Sequence, residues 1–284
     1  MSVSGKSVVG AAPQGTSDAN SAAQAVREMF TSIAPRYDLL NHVLSFNIDR
    51  VWWRRGARTF REVLSRPEAR VLDLCCGTGD MTFALRRQLK KSAPRGSSQL
   101  FGADFSHAML QRALSKSAGK SAGKSSDHSS DHASTNASSS NDSSKDGESE
   151  MPRWIEADAL NLPFPGQHFD LVTSAFGFRN LADYDAGLRE IVRVLRPGGE
   201  CGILDFGEPK GIVGKLYRIY FKQVLPRVGT MISGVRGPYR YLPASVERFP
   251  APEEMLARMG RAGFVEASWT PYTFGIAGLY RGRK

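Results

Sequence analysis

The chain is poor in cysteine: only Cys75, Cys76 and Cys201 occur in 284 residues. There is no C-x-x-C pair, and the five histidines supply no matching metal frame. A disulfide scaffold is therefore excluded, no metal is expected, and a reduced, cytoplasmic compartment is the simplest expectation. No run of about 18 apolar residues exists, so no segment is expected to span a bilayer. The opening stretch, MSVSGKSVVGAAPQGTSDANSAA, lacks the sustained apolar centre of a signal peptide, and residues 1–20 are expected to form a tail. Acidic charge is also in deficit. With 38 Lys and Arg against 28 Asp and Glu, the formal net charge is +10, which favours anionic partners without choosing among nucleic acid, lipid and metabolite.

What is present begins with Val71–Asp80, VLDLCCGTGD. Val71, Leu72 and Leu74 around Asp73 read as a buried strand, and Gly77 and Gly79 as a turn that side chains would obstruct. A helix is expected to follow from Asp80 to about Leu89. Strand, glycine turn and helix make the first half of a nucleotide-binding βαβ unit. The dinucleotide fingerprint G-x-G-x-x-G is not met, because Thr82 stands at the third glycine position. The next strand, Gln99–Asp104 (QLFGAD), ends in an acid about 25 residues past the turn. A carboxylate placed there can accept hydrogen bonds from ribose hydroxyls, or can cap the helix that starts near Ser106.

The alternation continues. Arg153–Asp158 reads as a short third strand and Phe169–Ala175 (FDLVTSA) as a fourth, apolar enough to be covered on both faces. Asp183–Leu195 has Leu188, Ile191, Val192 and Leu195 at helical spacing before the break at Pro197-Gly198-Gly199. Glu200–Phe206 follows as a fifth strand, then a helix over Pro252–Ala262 and two closing strands at Phe264–Pro271 and Tyr272–Tyr280. Ahead of the sheet, Ser21–Ala34 and Arg50–Leu64 read as helices that either cover a cleft or simply pack on the sheet. The predicted architecture is a single α/β domain over 21–284.

Residues 115–150 are a different polymer, with SAGK and SSDH each repeated and almost no large apolar side chains. Such a stretch cannot bury enough surface to offset its ordering entropy, so a disordered insertion is expected. A second biased region, Glu208–Phe249, has eight Lys/Arg against two Glu, a local charge of +6. Its aromatic and basic mixture suits a lid over an apolar substrate and peripheral contact with an anionic membrane through 211–249, or a solvated helix packed on the core. No RNA-binding module is recognised in it, so nucleic acid is not an expected partner. The sequence sets no oligomeric state.

Several stretches together resemble the ubiquinone/menaquinone biosynthesis C-methyltransferase family. Tyr37–Arg54 (YDLLNHVLSFNIDRVWWR) is similar to its first signature, and VLDLCCGTGD and DFSHAML follow. Ala157–Asn180 ends in the specific F-G-x-R-N string, Arg193–Pro209 (RVLRPGGECGILDFGEP) resembles the second signature, and YTFGIAGLYRGRK closes the chain. There are local departures. Asn47 and Asp49 replace a usual Gly and His, Ala175 replaces a frequent Ser, and LDFG at 204–207 replaces L-E-F-S.

The resemblance implies a class I methyltransferase fold, a Rossmann-like seven-stranded sheet whose last strand is antiparallel, with an N-terminal helical cover. It implies S-adenosylmethionine (SAM) as methyl donor, held by Asp73, Gly77, Thr78, Gly79, Asp104, Asp158 and Ala159. It implies a polyprenyl hydroquinone substrate methylated on ring carbon. Demethylmenaquinol is the expected form, with a ubiquinone-pathway benzoquinol or another small or lipid molecule as the alternative. Arg179 and Asn180 would meet the ring oxygen and its developing charge, with Tyr37 on the substrate side. Read without the resemblance, Arg179 and Asn180 fit a salt bridge and a helix cap equally well.

Overall fold

In the computed structural model the described residues are 10–36, 38, 45, 47–93, 97–122, 151–220, 223 and 237–284. Seven strands form one sheet: β1 (Arg70–Leu74), β2 (Gln99–Asp104), β3 (Arg153–Glu156), β4 (Phe169–Ala175), β5 (Leu195–Phe206), β6 (Val265–Tyr272) and β7 (Ala277–Arg283). Their order is β3-β2-β1-β4-β5-β7-β6. The first five strands run parallel, and β7 is inserted antiparallel between β5 and β6. This is the seven-stranded arrangement expected, with the last strand as the antiparallel one.

Both faces of the inner strands β2, β1, β4, β5 and β7 are buried, whereas the edge strands β3 and β6 are largely exposed, and burial on two faces explains why the inner strands are so apolar. Leu72, Val172 and Ile203 point into one core, with Leu188 and Ile191 of α6 (Tyr184–Val194) and Met255 and Met259 of α9 (Pro252–Ala262). Val71, Leu171 and Leu204 point to the other, against Trp53 and Ala57 of α2 (Asp49–Thr59), Leu64 of α3 (Arg61–Leu64) and Leu85 of α4 (Asp80–Ser92). Across the top lies α1 (Ala19–Ile33). It opens with a capping box, in which the Asp18 carboxylate accepts from the Ser21 amide and the Ser21 hydroxyl meets the Asp18 backbone.

Several boundaries differ from the sequence reading, the last strand among them (Ala277–Arg283 rather than Tyr272–Tyr280), and three have a visible reason. The second N-terminal helix is split at Phe60, whose backbone (φ −96°, ψ 20°) is not helical. Strand β5 begins at Leu195 rather than Glu200: Phe169 pairs with Leu195 but Leu171 with Glu200, so the Pro-Gly-Gly stretch is accommodated as an irregularity within the strand. Helix α5 (His107–Ala122) runs into the segment expected to be disordered. Its continuation is anchored by tertiary contacts. Ser117 is buried and its hydroxyl accepts from Trp154 Nε1 at 3.3 Å, while Lys116 reaches back to the glycine turn. The rest of that segment lies outside the described residues, and of 211–249 the described helices are α7 (Gly211–Ile219) and α8 (Gly237–Arg248).

Candidate active site

Strand order reverses between β1 and β4, and a parallel sheet opens a crevice at that point beyond the strands' carboxyl ends. A cavity of about 380 Å³ lies there. Two backbone departures shape it. Cys75 (φ +53°) follows β1 and Phe176 (φ +58°) follows β4, both in the left-handed region that non-glycine residues seldom adopt. Gly177 packs against the first of these turns: a Cβ there would stand 2.4 Å from the Cys75 Cβ. The glycine of FGFRN is thus required by the neighbouring loop after β1, a coupling that local sequence does not reveal.

The glycine turn places Gly77 (φ +54°) and Thr78 on the cavity wall. Gly79 (φ +87°) caps α4 and does not line the cavity; a Cβ on it would stand 2.6 Å from the Trp154 ring. Its requirement is close packing and a left-handed turn. Asp104 Oδ2 accepts from the Gly77 amide at 2.8 Å and Oδ1 from the Ser106 amide at 2.9 Å. Asp104 therefore fixes the turn that leads into α5 but does not cap that helix, which begins at His107, and it also stands on the cavity wall. A carboxylate has about four acceptor sites, so beside its backbone donors this one retains capacity for a further donor such as a ribose hydroxyl. Burial raises its pKa to about 6, with backbone N–H groups from Ser106, Gly77 and Phe105 opposing the rise.

Asp73 also borders the cavity, but it is fully buried and committed to the scaffold. It accepts from Thr82 Oγ1 at 2.6 Å and Thr173 Oγ1 at 2.8 Å, tying β1 to α4 and β4. Burial pushes its pKa to about 7 against the pull of those hydroxyls. Asp158 and Ala159 line the far side, with Asp158 Oδ1 accepting from the Leu160 amide at 2.9 Å.

Sequence reasoning missed Lys116, assigning it to the disordered insertion. Its Nζ lies 2.8 Å from Asp38 Oδ1, 2.8 Å from Thr78 Oγ1 and 3.2 Å from Asp80 Oδ1. Thr78 Oγ1 also donates to Asp38 at 2.5 Å. Asp38, from the first signature, is thus brought to the glycine turn. Tyr37, next to it in sequence, lies outside the described residues.

At the other end, Arg179 and Asn180 belong to a single 3₁₀ turn, Phe178–Asn180, beyond β4. The Arg179 guanidinium is held by Asp205 at 2.8 Å and by the Phe176 carbonyl, and lies 5.1 Å from the centre of the Phe206 ring. Asn180 Oδ1 accepts from the Tyr241 hydroxyl of α8 at 3.1 Å. Burial raises the Tyr241 pKa to about 12, so the hydroxyl keeps its proton. Trp52, Phe176, Phe206 and Tyr220 supply an aromatic wall, and Met29, Phe30 and Ile33 of α1 roof the cavity. The same space thus joins the glycine turn and Asp104 to a charged, aromatic compartment. Among the described residues no cluster of three or more His, Cys, Asp or Glu side chains could hold a metal ion.

The model of the ubiE/COQ5 methyltransferase family matches residues 17–147 and 135–284. The chain belongs to that family. Demethylmenaquinone methyltransferase of Deinococcus radiodurans is 44% identical over 263 residues, 92% of this chain and 93% of that one. The ubiquinone/menaquinone biosynthesis C-methyltransferase UbiE of Geobacter sulfurreducens is 38% identical, covering 91% of this chain and 88% of its own. In fold it is similar to a SAM-dependent methyltransferase of Thermotoga maritima, described as a possible histamine N-methyltransferase. That match has a TM-score of 0.56 at 15% identity and covers 91% of this chain and 99% of the other. As a member of the ubiE/COQ5 family the chain is a SAM-dependent methyltransferase, and the glycine turn with Asp104 fits the donor in residue type and location.

Proposed function

We propose that this methyltransferase acts on a ring carbon of a polyprenyl hydroquinone, with demethylmenaquinol as substrate. The observation that carries this reading is the single cavity reaching from the glycine turn and Asp104 to Arg179 and Asn180 along an aromatic wall. The names of its 44% and 38% identical relatives agree with it. The second name covers the ubiquinone pathway too, so a 2-polyprenyl-6-methoxy-1,4-benzoquinol is the alternative ring.

When bound, SAM supplies a methyl carbon on a sulfonium, which is already a strong electrophile. The chain's residues have to hold and orient. Asp104 would accept from a ribose hydroxyl and Asp158 from the adenine amine, and Gly77 with Thr78 would hold the rest of the donor against the turn. Asp73 keeps the glycine turn fixed on the sheet. Proton loss from a ring hydroxyl leaves a phenolate whose charge spreads to the adjacent ring carbon. Arg179 stabilises that charge, and Asn180, its carbonyl engaged by Tyr241, donates its NH₂ edge to a ring oxygen. Tyr37 is assigned to the substrate side on family resemblance alone. Alignment of the two reactants in one enclosed space accounts for much of the rate.

Because the substrate is lipid-borne, peripheral membrane contact through 211–249 is part of the proposal. On α7, Lys215, Arg218 and Ile219 are exposed while Tyr217 and Tyr220 border the cavity. No described helix is long and apolar enough to cross a membrane. The test is methyl transfer from labelled SAM to reduced demethylmenaquinone, and separately to the benzoquinol precursor, in liposomes. Transfer to the first supports the reading; transfer only to the second selects the alternative; transfer to neither rejects the substrate class.

A further inference from the structure

Beside the cavity, the exposed side of α2 and the turn between β6 and β7 form one surface to which the proposed methyl transfer assigns no role. The turn, Thr273–Gly275, is fastened to α2 at two points. Trp52 Nε1 donates to Thr273 Oγ1 at 2.8 Å, and the Arg55 guanidinium lies 4.2 Å from the centre of the Tyr272 ring. Between them projects Phe274, 82% exposed and, like Thr273, in left-handed backbone (φ +58° and +47°). An aromatic residue held outward on strained backbone stabilises nothing in the free protein, which points to a role in contact.

Helical geometry brings two more apolar side chains to the same side. At about 100° per residue, Ile48 and Val51 project within about 100° of Trp52, on the side of Arg55, and hence toward the turn. Both are exposed, at 36% and 49%. Continuing round the helix come Arg58, Arg54 and Arg50, all exposed, and in α2 only Asp49 opposes its four arginines. Arg87 of α4 adds to the field. Burial lowers its pKa, and the charges of Arg54 and Arg50 lower it further, against the pull of Asp80. No ion pair compensates Arg50, Arg54, Arg55 or Arg58 among the described residues. The patch is continuous with the mouth of the cavity, since Ile48 and Thr273 line it.

We infer that this patch is a docking surface for an anionic lipid bilayer, with Phe274, Val51 and Ile48 entering the headgroup boundary and the α2 arginines meeting lipid phosphates. Apolar groups rimmed by arginine match such a surface in both hydrophobicity and charge. The inference rests on the lipid-substrate reading in one respect, that the cavity mouth faces the bilayer; its test needs neither quinone nor SAM.

The experiment is flotation of the full chain with vesicles of phosphatidylcholine alone and with phosphatidylglycerol added. Wild type should float with the anionic vesicles and be released by salt. Phe274→Ser with Val51→Ser should lose at least tenfold in partition, and Arg54→Gln and Arg58→Gln about fivefold each. Leu114→Ser, at an apolar site 59% exposed on α5, should bind as wild type. Thermal melting checks that every variant folds. Three results would overturn the inference. One is no difference between wild type and the α2 and Phe274 variants. Another is binding lost only in Lys215→Gln with Arg218→Gln, which would leave α7 as the sole membrane contact. The third is light scattering that shows the patch joining two copies of the chain without vesicle binding. Vesicle binding alongside failed methyl transfer would retain the surface and reject the substrate class.

Discussion

Arg179 and Asp205 form an ion pair in which both side chains are almost fully buried, at 6% and 0% exposure. The carboxylate holds its partner twice: Oδ1 accepts from the guanidinium at 2.8 Å and Oδ2 from the Arg179 backbone amide at 3.1 Å. It also accepts from the Phe206 amide at 2.9 Å. Asp205 is the penultimate residue of β5 and Arg179 follows β4, so the pair links the ends of adjacent strands at the cavity. The structural reading of Arg179 as a salt-bridge partner is therefore present in the molecule, and it also fixes where the cation stands.

Removing one partner leaves a buried charge uncompensated, which costs about 3–5 kcal/mol. Arg179→Ala should lower thermal stability by that amount and abolish turnover, so it tests two things at once. Arg179→Lys keeps the charge but not the fork of donors. It is expected to fold, to bind SAM in calorimetry with little change, and to lose about 10²–10³ in turnover. Wild-type turnover in the lysine variant would remove Arg179 from the reaction.

Asp104→Asn keeps an acceptor and loses the charge, whereas Asp104→Ala also releases the Gly77 and Ser106 amides. Each unmade bond costs about 1–3 kcal/mol. SAM affinity measured by calorimetry should fall by tenfold or more in the asparagine variant and further in the alanine variant. Unchanged affinity in a folded Asp104→Ala protein would rule out ribose binding by this residue.

Stability and SAM affinity should move in opposite directions with pH. The Asp104 and Asp73 pKa values, about 6 and about 7, stand above the unfolded value near 3.9. Between those limits the folded state holds more protons at these two sites, so raising the pH through this window removes the stability they contribute, a contribution that is fully present only below about pH 4. SAM binding requires ionised Asp104, so affinity should rise to a plateau above about pH 6 and weaken about tenfold per unit below it. Melting curves and calorimetry from pH 4.5 to 8 (roughly the window set by linkage) test both slopes. Asp73→Asn should flatten the upper part of the stability slope.

Replacing residues 123–149 by a short linker should leave melting temperature and methyl transfer nearly unchanged, because loop length costs little closure free energy. A deletion that begins at 115 is expected to fail, since it removes Lys116 from between Asp38 and Asp80. Lys116→Met alone should weaken SAM binding severalfold by removing the cation between Asp38 and Asp80 and leaving two carboxylates unneutralised beside Thr78. Equal behaviour of the two deletions would show that the extension of α5 is dispensable.

The sheet was legible because each strand carries its own signal. FDLVTSA is apolar on both faces and became β4 over the predicted residues, Phe169–Ala175. VLDLCCGTGD announced a strand, a turn and a helix, and all three stand where the glycines put them. Lys116 was illegible for the opposite reason. Its neighbours are serines, glycine and alanine, whose composition speaks for disorder, while the contacts that keep α5 helical come from Thr78 and Trp154, each nearly 40 residues away.

The sequence by itself determined the element order, the glycine turn with its strand-end acid, and the family, since those depend on local pattern and on short strings of residues. Tertiary structure decided which of these groups share a space. It set Asp104 to hold the turn as well as the cavity wall, gave Gly79 to Trp154, and committed Asp73 to two threonines. It also paired Arg179 with Asp205 across two strand ends. Those outcomes depend on register, burial and distance between segments far apart in the chain, and neither hydrophobic period nor motif encodes them one residue at a time.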